Sequence, residues 1–333
     1  MSGRLRCLSF HSVKGGVGKS TLSTVAAVQI AAAEPGVPVY LIDMDLTGTS
    51  LADVLPIEAP CWSGVAQNAP INLLSKPGGF HPRGDLQDLL AARELRDVSS
   101  DVIGVPFLND FLLFATPDWD AQEEVPIASV AWRLTDGPQN LRVLPSSALP
   151  IDLERTLPVI YDEEHAGFLE ARLEYLLDEL VPSSGDVVVV FDTPPTIPGL
   201  SRSVLSLAFR LSRTPKTALS EDGQMPFRLE EAELDWKAFL VATLDYQDLR
   251  AAERWLSLVP EGDQSVITPL LNRAPSGDPQ QVEALVREAL LYSANPMLLR
   301  AIPVEEDPSL QLFRGERVPP VRDDLIRRIL GKP

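Results

Sequence analysis

The sequence predicts an α/β protein whose sheet is doubly wound and mostly parallel, flanked by helices, with one inserted subregion. A strand pattern at residues 6–13, a glycine-rich loop, a helical pattern and a second strand pattern together form a βαβ unit. Strand and helix patterns alternate again from residue 141 onward. Between these two regions, residues 51–135 are rich in proline and glycine and keep no sustained period.

The elements follow in order along the chain. The first helix is predicted at KSTLSTVAAVQIAAA, which has apolar residues at helical spacing, and the second strand, VPVYLIDMD, ends in two aspartates. Residues 56–135 are interpreted as an insertion or lid within a single domain, 1–333, with a helix at LQDLLAARELRDV and a strand at DFLLFAT. The later predicted strands are LRVLPSS, GDVVVVFDTPP, KAFLVATLD, SVITPLLNRAP and MLLRAIPVEED. The later predicted helices are EEHAGFLEARLEYLLDELV, GLSRSVLSLAFRLSR, YQDLRAAERWLSLV, PQQVEALVREALL and a short basic amphipathic helix at 323–333.

Composition narrows the class of protein. The chain has 333 residues, 45% of them apolar, and its mean hydropathy is +0.03, so we expect a soluble globular protein. No apolar run reaches the ~18 residues that a membrane span requires, and the N-terminus lacks a secretory signal pattern. Two cysteines, Cys7 and Cys61, without a CxxC motif argue against a disulfide framework or a cysteine-held cluster. We therefore expect a cytoplasmic location.

The net charge of −18 limits the partners, because an acidic surface repels DNA phosphates and anionic lipids unless a basic patch is present. One group of basic residues is a candidate DNA contact, with a solvated helix face as the alternative: Arg202, Arg210, Arg213 and Lys216. The basic tail at 323–333 is a candidate for reversible membrane contact, with a helix packed on the core as the alternative.

The stretch KGGVGKST at residues 14–21 predicts a nucleotide site. Gly18, Lys19 and Ser20 match the second half of the phosphate-loop pattern, whereas its first glycine is replaced by Val13, next to an additional Lys14. Glycines lack a Cβ, so backbone N–H groups can close round phosphate oxygens at the start of a helix. The predicted nucleotide-binding residues are Gly15, Gly16, Val17, Gly18, Lys19, Ser20 and Thr21, with Lys19 on the β- and γ-phosphates and Ser20 on Mg²⁺. The alternative is an ordinary glycine-rich turn.

Three aspartates follow buried strands. Asp192 ends the apolar run VVVVF, at the carboxyl edge where ligands of parallel sheets bind, and is predicted to hold a metal-bound water near Ser20. Asp43 and Asp45 end the second strand and, by alternation, share one face. One of these two aspartates is predicted to support the metal shell and the other to orient the attacking water, and both are candidates for the metal shell. Turn-capping aspartates are the alternative in each case.

Asn272 and Arg273 follow the strand pattern VITPLL. An asparagine amide offers a donor and an acceptor together, which suits the edge of an adenine base. Turn residues also follow strands commonly, so the alternative is structural.

Four stretches in this order, KGGVGKST, LIDMD, VVVVFDTPP and LLNR, resemble the deviant Walker A ATPases of the ParA/MinD family, which have the P-loop NTPase fold. The resemblance implies ATP and Mg²⁺ as cofactors and a homodimer in the ATP state, with Lys14 reaching the partner subunit's nucleotide. It also implies that Asp192 is the Walker B aspartate, Asp45 the water-activating carboxylate and Asn272 the adenine reader. The stretch TPPTIPGLSR matches the family segment that senses the γ-phosphate.

The sequence departs from the family at Leu46 and Thr47, where Pro-Gln is frequent, and in the long gap before Asp192. The expected function is an ATP-hydrolysing switch that dimerises with ATP and positions or partitions a cargo, or regulates a partner protein. Nucleoid or membrane association in the ATP state is expected only if the basic residues or the tail serve that purpose. Alternatives are a MinD-like membrane regulator, an ATP-dependent amide-forming ligase and a weakly active scaffold.

Overall fold

A nine-stranded sheet forms the centre of the described structure. The computed structural model describes residues 3–46, 51–59, 107–113, 127–147, 149–161, 166–182, 184–195, 200–213, 227–275, 278–291, 295–307 and 310. The strands are β1 Arg4–His11, β2 Val39–Asp43, β3 Ile57–Glu58, β4 Trp132–Leu134, β5 Leu141–Leu144, β6 Asp186–Asp192, β7 Glu233–Ala242, β8 Ile267–Ala274 and β9 Ile302–Glu305. Their order across the sheet is β3-β4-β5-β2-β6-β1-β7-β8-β9.

Within the described residues, neighbouring strands are parallel all the way across the sheet from β5 to β9, in the spatial order given above. The pairs β3-β4 and β4-β5, at one edge, are antiparallel. The prediction of a mostly parallel α/β sheet is therefore confirmed. The helices are α1 Lys19–Ala33, α2 Leu108–Leu112, α3 Ile127–Val130, α4 Pro150–Tyr161, α5 Ala166–Leu180, α6 Leu200–Arg213, α7 Phe227–Glu231, α8 Tyr246–Leu258, α9 Glu261–Gln264, α10 Pro279–Ala289 and α11 Pro296–Leu299. None of these helices is long and apolar enough to span a membrane.

The central strand β6 shows why its sequence is a continuous apolar run. Val188 and Val190 enter the apolar cluster that contains α1, whereas Val187, Val189 and Phe191 enter the cluster formed with α5 and α6. Alternate side chains point to opposite faces of a strand, so a strand covered on both faces needs apolar residues at every position. The buried run carries the chain to Asp192 at the carboxyl edge of the sheet.

Both ends of segment 56–135 contribute strands to the central sheet, and its interpretation as an insertion or lid stays a prediction. Strand β3 pairs with β4, which pairs with β5, so both ends extend the central sheet. The rings of Phe107 and Trp132 lie 5.1 Å apart in the core. Residues 60–106, where a lid was predicted, lie outside the described residues.

Three local predictions also differ from the structure. The strand predicted at DFLLFAT is wrong over residues 110–112, which belong to α2, where the Asp110 carboxylate accepts a hydrogen bond from the Phe107 N–H. Strand β7 begins at Glu233, ahead of the predicted strand KAFLVATLD, which starts at Lys237. Strand β2 ends at Asp43, two residues earlier than predicted. The helix predicted at 323–333 lies outside the described residues.

Candidate functional site

The predicted motifs meet at the carboxyl edge of three adjacent central strands. Asp192 at the end of β6 is in register with Phe10 of β1 on one side and with Asp43 of β2 on the other. The Met44 N–H donates to the Asp192 carbonyl at 2.8 Å, which ties the two strand ends together. Residues 12–18 connect β1 to α1 at this same edge. A ligand cleft is typical of the carboxyl edge of parallel strands.

The glycine loop is shaped for close approach of a ligand. Gly16 and Gly18 have φ angles of 78° and 91°, in the left-handed region that favours glycine. Gly18 is also the N-cap of α1. A Cβ placed on Gly15 or Gly16 would meet nothing within 4 Å, so the space above this part of the loop is open. The Ser12 hydroxyl donates to the Lys14 carbonyl at 2.8 Å, a hydrogen bond within the loop itself.

Lys19 and Ser20 occupy the first turn of α1. The Lys19 side chain is largely buried, and its charge acts on both Asp192 and His11. Ser20 is exposed, and its carbonyl accepts hydrogen bonds from the hydroxyls of Ser23 and Thr24 at 3.0 and 2.7 Å. The Ser20 side chain also hydrogen-bonds to Asp192, so its hydroxyl lies beside the end of β6.

Asp192 has the properties of a cation ligand. It is 2% exposed, and its Oδ1 atom has no hydrogen-bond partner among the described residues. Burial raises the pKa of Asp192 to about 6, against the positive charge of Lys19 and a hydrogen bond from Ser20, which lower it. A buried carboxylate oxygen without a partner is costly, and a bound cation would satisfy it.

The residues present fit Mg²⁺ bound together with a nucleotide. Within the described part of the chain, no three His, Cys, Asp or Glu side chains are grouped as a protein-built metal site requires. Mg²⁺ does not need such a group, because it commonly takes one or two protein ligands and completes its shell with phosphates and water. Asp192 and Ser20 would supply the protein side of that shell.

The Asp43 carboxylate differs from that of Asp192 in its hydrogen-bond partners. It is fully buried, and its two carboxylate oxygens accept hydrogen bonds from Asp45 N, Leu51 N and the Ser146 hydroxyl at 3.1, 2.7 and 2.8 Å. Burial first, and then the charge of Asp192, raise the pKa of Asp43 to about 7. Its assignment as a metal ligand stays a prediction. The contact with Asp45 N is the turn-capping arrangement that was the alternative for this aspartate.

Asp45 lies beyond the end of β2, so strand alternation does not place it as predicted. Its charge nevertheless raises the pKa of both Asp43 and Asp192, so it lies close to the carboxyl edge. Its carbonyl accepts a hydrogen bond from the Ser146 hydroxyl at 3.1 Å. The water-activating role of Asp45 stays a prediction.

Lys14 contacts helix α8 of its own chain. Its Nζ donates to Gln247 Oε1 at 3.1 Å and lies 3.4 Å from Asp248 Oδ1. The Asp248 carboxylate is held in turn by the Thr243 hydroxyl at 2.6 Å. The lysine side chain is 38% exposed, so the contact lies at the rim of the site.

Asn272 links strand β8 to the glycine loop through a hydrogen bond. It lies within β8, as the predicted strand SVITPLLNRAP has it, and its Nδ2 donates to the Val17 carbonyl at 2.8 Å. A Cβ on Gly18 would collide with the same amide. Arg273 is exposed, with φ 56°, at an irregularity of the β8 and β9 pairing. The adenine-binding role of Asn272 and the nucleotide-binding role of Arg273 stay predictions.

A buried polar network behind the loop was missed by sequence reasoning. His11 Nε2 lies 2.9 Å from Ser9 Oγ, which accepts from the indole N–H of Trp236 at 3.0 Å. His11 Nδ1 lies 3.2 Å from Ser201 Oγ and 3.3 Å from Thr193 Oγ1. A serine or threonine near a strand end carries no sequence signal that would reveal such a network.

The predicted DNA patch is partly neutralised. Arg210 forms an ion pair with Glu174, and Arg213 forms one with Asp263. Both carboxylates are largely buried, so the two guanidinium groups are engaged within the protein. Arg202 is exposed on α6, and Lys216 lies outside the described residues.

The glycine loop leads from a parallel strand into a helix, with an aspartate at the end of the adjacent strand, which is the arrangement of the P-loop NTPase fold. The family profile described as "ParA: NUBPL iron-transfer P-loop NTPase" matches residues 6–74. That match covers the glycine loop, α1 and β2. No curated protein sequence matches the chain.

Solved structures share the fold over nearly the whole chain. An ATP complex of McdA from Cyanothece is 14% identical, with 99% of this chain and 97% of that chain covered and a TM-score of 0.52. The cell division ATPase MinD from Pyrococcus furiosus is 15% identical, with coverages of 98% and 99% and a TM-score of 0.50. The MinC:MinD cell division protein complex from Aquifex aeolicus matches at 17% identity, with coverages of 98% and 96% and a TM-score of 0.50. The profile match thus concerns residues 6–74, and the solved structures show the fold of the chain.

Proposed function

We propose that the protein is an ATP-dependent molecular switch that binds ATP with Mg²⁺, dimerises in that state and hydrolyses ATP to ADP and phosphate. The dimer would position or partition a cargo, or regulate a partner protein. A cytoplasmic location is part of this proposal. The fold that the chain shares with MinD and McdA supports a positioning role.

One juxtaposition carries the proposal. The open glycine loop, the Lys19 and Ser20 pair in the first turn of α1, and the unpartnered Asp192 Oδ1 lie at one edge of the sheet. Loop N–H groups and the positive end of α1 favour a phosphate, to which Lys19 adds a charge. Mg²⁺, when bound, supplies further positive charge at the phosphate oxygens.

The switch itself would depend on Lys14. This lysine stands at the rim of the site, where its charge pairs with Asp248 at 3.4 Å in a partly exposed contact. Partly exposed ion pairs contribute about 0–1 kcal/mol, so little free energy holds the side chain in its own subunit. Release of Lys14 toward a nucleotide bound in a second copy would therefore cost little.

The test is molar mass by light scattering with ADP, and then with ATP and Mg²⁺. Asp45→Ala should trap an ATP dimer, and Lys14→Ala should bind a fluorescent ATP analogue but remain monomeric. Lys19→Ala serves as the matched lysine control and should lose nucleotide binding as well. A protein that stays monomeric with ATP, even as Asp45→Ala, would contradict the switch.

A further inference from the structure

The backbone of Asp45 is held from both sides. Its N–H donates to Asp43 Oδ1 at 3.1 Å, and its carbonyl accepts from the Ser146 hydroxyl at 3.1 Å. Ser146 Oγ also lies 2.8 Å from Asp43 Oδ2, so its single O–H is shared between Asp43 and the Asp45 carbonyl. Asp43, at the end of β2, and Ser146, just after β5, thus both hydrogen-bond to the backbone of Asp45.

Further donors fix the orientation of the Asp43 carboxylate. Its Oδ2 accepts from Leu51 N at 2.7 Å, and Ser146 N lies 3.4 Å away. The side chain is completely buried. A carboxylate whose oxygens face several N–H and O–H donors is arranged to organise the surrounding backbone.

The neighbouring aspartate provides the contrast. Asp192 is in register with Asp43, yet its Oδ1 atom has no hydrogen-bond partner among the described residues. Of the two paired strand ends, only that of β6 therefore presents an unsatisfied oxygen to a cation. The difference between the two carboxylates is visible in their hydrogen-bond partners.

We propose that Asp43 and Ser146 are positioning residues that fix Asp45 for hydrolysis, and that Asp43 is not a metal ligand. The inference rests on the proposed function, because it requires Asp45 to act on the attacking water. The backbone of Asp45 is held at both its N–H and its C=O, so the position from which its side chain extends is fixed. Loss of such positioning lowers the rate of the chemical step without weakening substrate binding.

The experiment compares neighbouring serines. Ser146→Ala should lower kcat about tenfold, with unchanged affinity for a fluorescent ATP analogue and unchanged half-saturating Mg²⁺. Ser147→Ala is the matched control, because the Ser147 hydroxyl donates to Asp152, and it should retain kcat. Asp43→Asn should lower kcat at least as much, since an amide cannot accept from all of these donors.

Two readouts separate positioning from metal binding. Amide hydrogen exchange in the peptide that contains Asp45 should become faster in Ser146→Ala and Asp43→Asn, in the absence of any nucleotide. Asp192→Asn should raise the half-saturating Mg²⁺ concentration, whereas Asp43→Asn should not. The thermal melting curve of each variant identifies any that fails to fold, and Ser146→Ala then carries the test without Asp43→Asn.

Clear outcomes would overturn the inference. An increase in half-saturating Mg²⁺ in Asp43→Asn equal to that in Asp192→Asn would make Asp43 a metal ligand. Unchanged kcat in Ser146→Ala, with wild type active and Asp45→Ala inactive, would refute the positioning role and leave the proposed function intact. Wild-type protein that binds no ATP would overturn both.

Discussion

His11 is a buried histidine whose replacement should change how stability depends on pH. Burial, and secondarily the charge of Lys19, lower the pKa of His11 from 6.5 to about 3. Both ring nitrogens have hydroxyl partners, namely Ser9 on one side and Ser201 and Thr193 on the other. The neutral ring is therefore satisfied in the folded protein, whereas the unfolded chain protonates it in mild acid.

The direction and size of the change in the free energy of unfolding with pH follow from the difference in the pKa of His11 between the folded and unfolded states. As pH falls below 6.5 the unfolded state binds a proton that the folded state does not bind until about pH 3. The free energy of unfolding therefore decreases by about 1.4 kcal/mol per pH unit in this range. At pH 5 the loss through His11 is about 2 kcal/mol relative to neutral pH.

The perturbation is His11→Gln, which keeps a hydrogen-bonding side chain that does not titrate. Asp43 and Asp192 have raised pKa values and act in the opposite direction, stabilising the fold as pH falls, but both are present in wild type and variant. The quantity to compare is therefore the wild-type minus variant difference in the free energy of unfolding.

The assay is urea unfolding at pH 7.5 and pH 5.0, in EDTA and without nucleotide. The wild-type minus variant difference should fall by about 2 kcal/mol between the two pH values. Ser201→Ala, which removes a partner of the ring but not the titrating group, should show no such change. An equal difference at both pH values would refute the reasoning, because His11 would then not be held neutral.

Two further predictions concern the nucleotide loop and its aspartate. Gly18→Ala should lower the melting temperature and weaken ATP binding, because a left-handed φ costs about 1–2 kcal/mol and the new Cβ meets the Asn272 amide. Gly15→Ala, where a Cβ meets nothing within 4 Å, should melt close to wild type, and equal melting of both variants would contradict the geometry. Asp192→Asn should increase the free energy of unfolding at pH 8 in EDTA by up to about 3 kcal/mol, since the raised pKa of about 6 means that ionisation above that pH destabilises the fold. This gain should shrink toward pH 4, and a gain that is constant with pH would argue against a raised pKa.

Much of the candidate site could be predicted from local patterns in the amino-acid sequence. The helix predicted at KSTLSTVAAVQIAAA has the bounds of α1, Lys19–Ala33, because apolar spacing and a preceding glycine act within a few residues. Asp192 was placed correctly at a strand end, since an uninterrupted apolar run predicts a strand buried on both faces. Such signals depend on neighbours in the chain.

Other features depend on contacts between distant residues. The Asn272 amide reaches the Val17 carbonyl across 255 positions, and Ser146 reaches Asp43 across 103. Single serine and asparagine residues near strand ends look alike in a sequence, because the hydrogen bond that distinguishes them depends on which strands become neighbours. The same reason explains why β3 and β4 were missed as sheet strands.

The sequence by itself determined the class of site: a glycine loop with Lys19 and Ser20, and the order of strands and helices that presents it. The tertiary structure alone decided that Asp192 keeps an unsatisfied oxygen while its register partner Asp43 holds Asp45 and Leu51. Residue type and spacing specify local conformation, whereas the partners of a buried carboxylate are chosen when the sheet brings separate strand ends together.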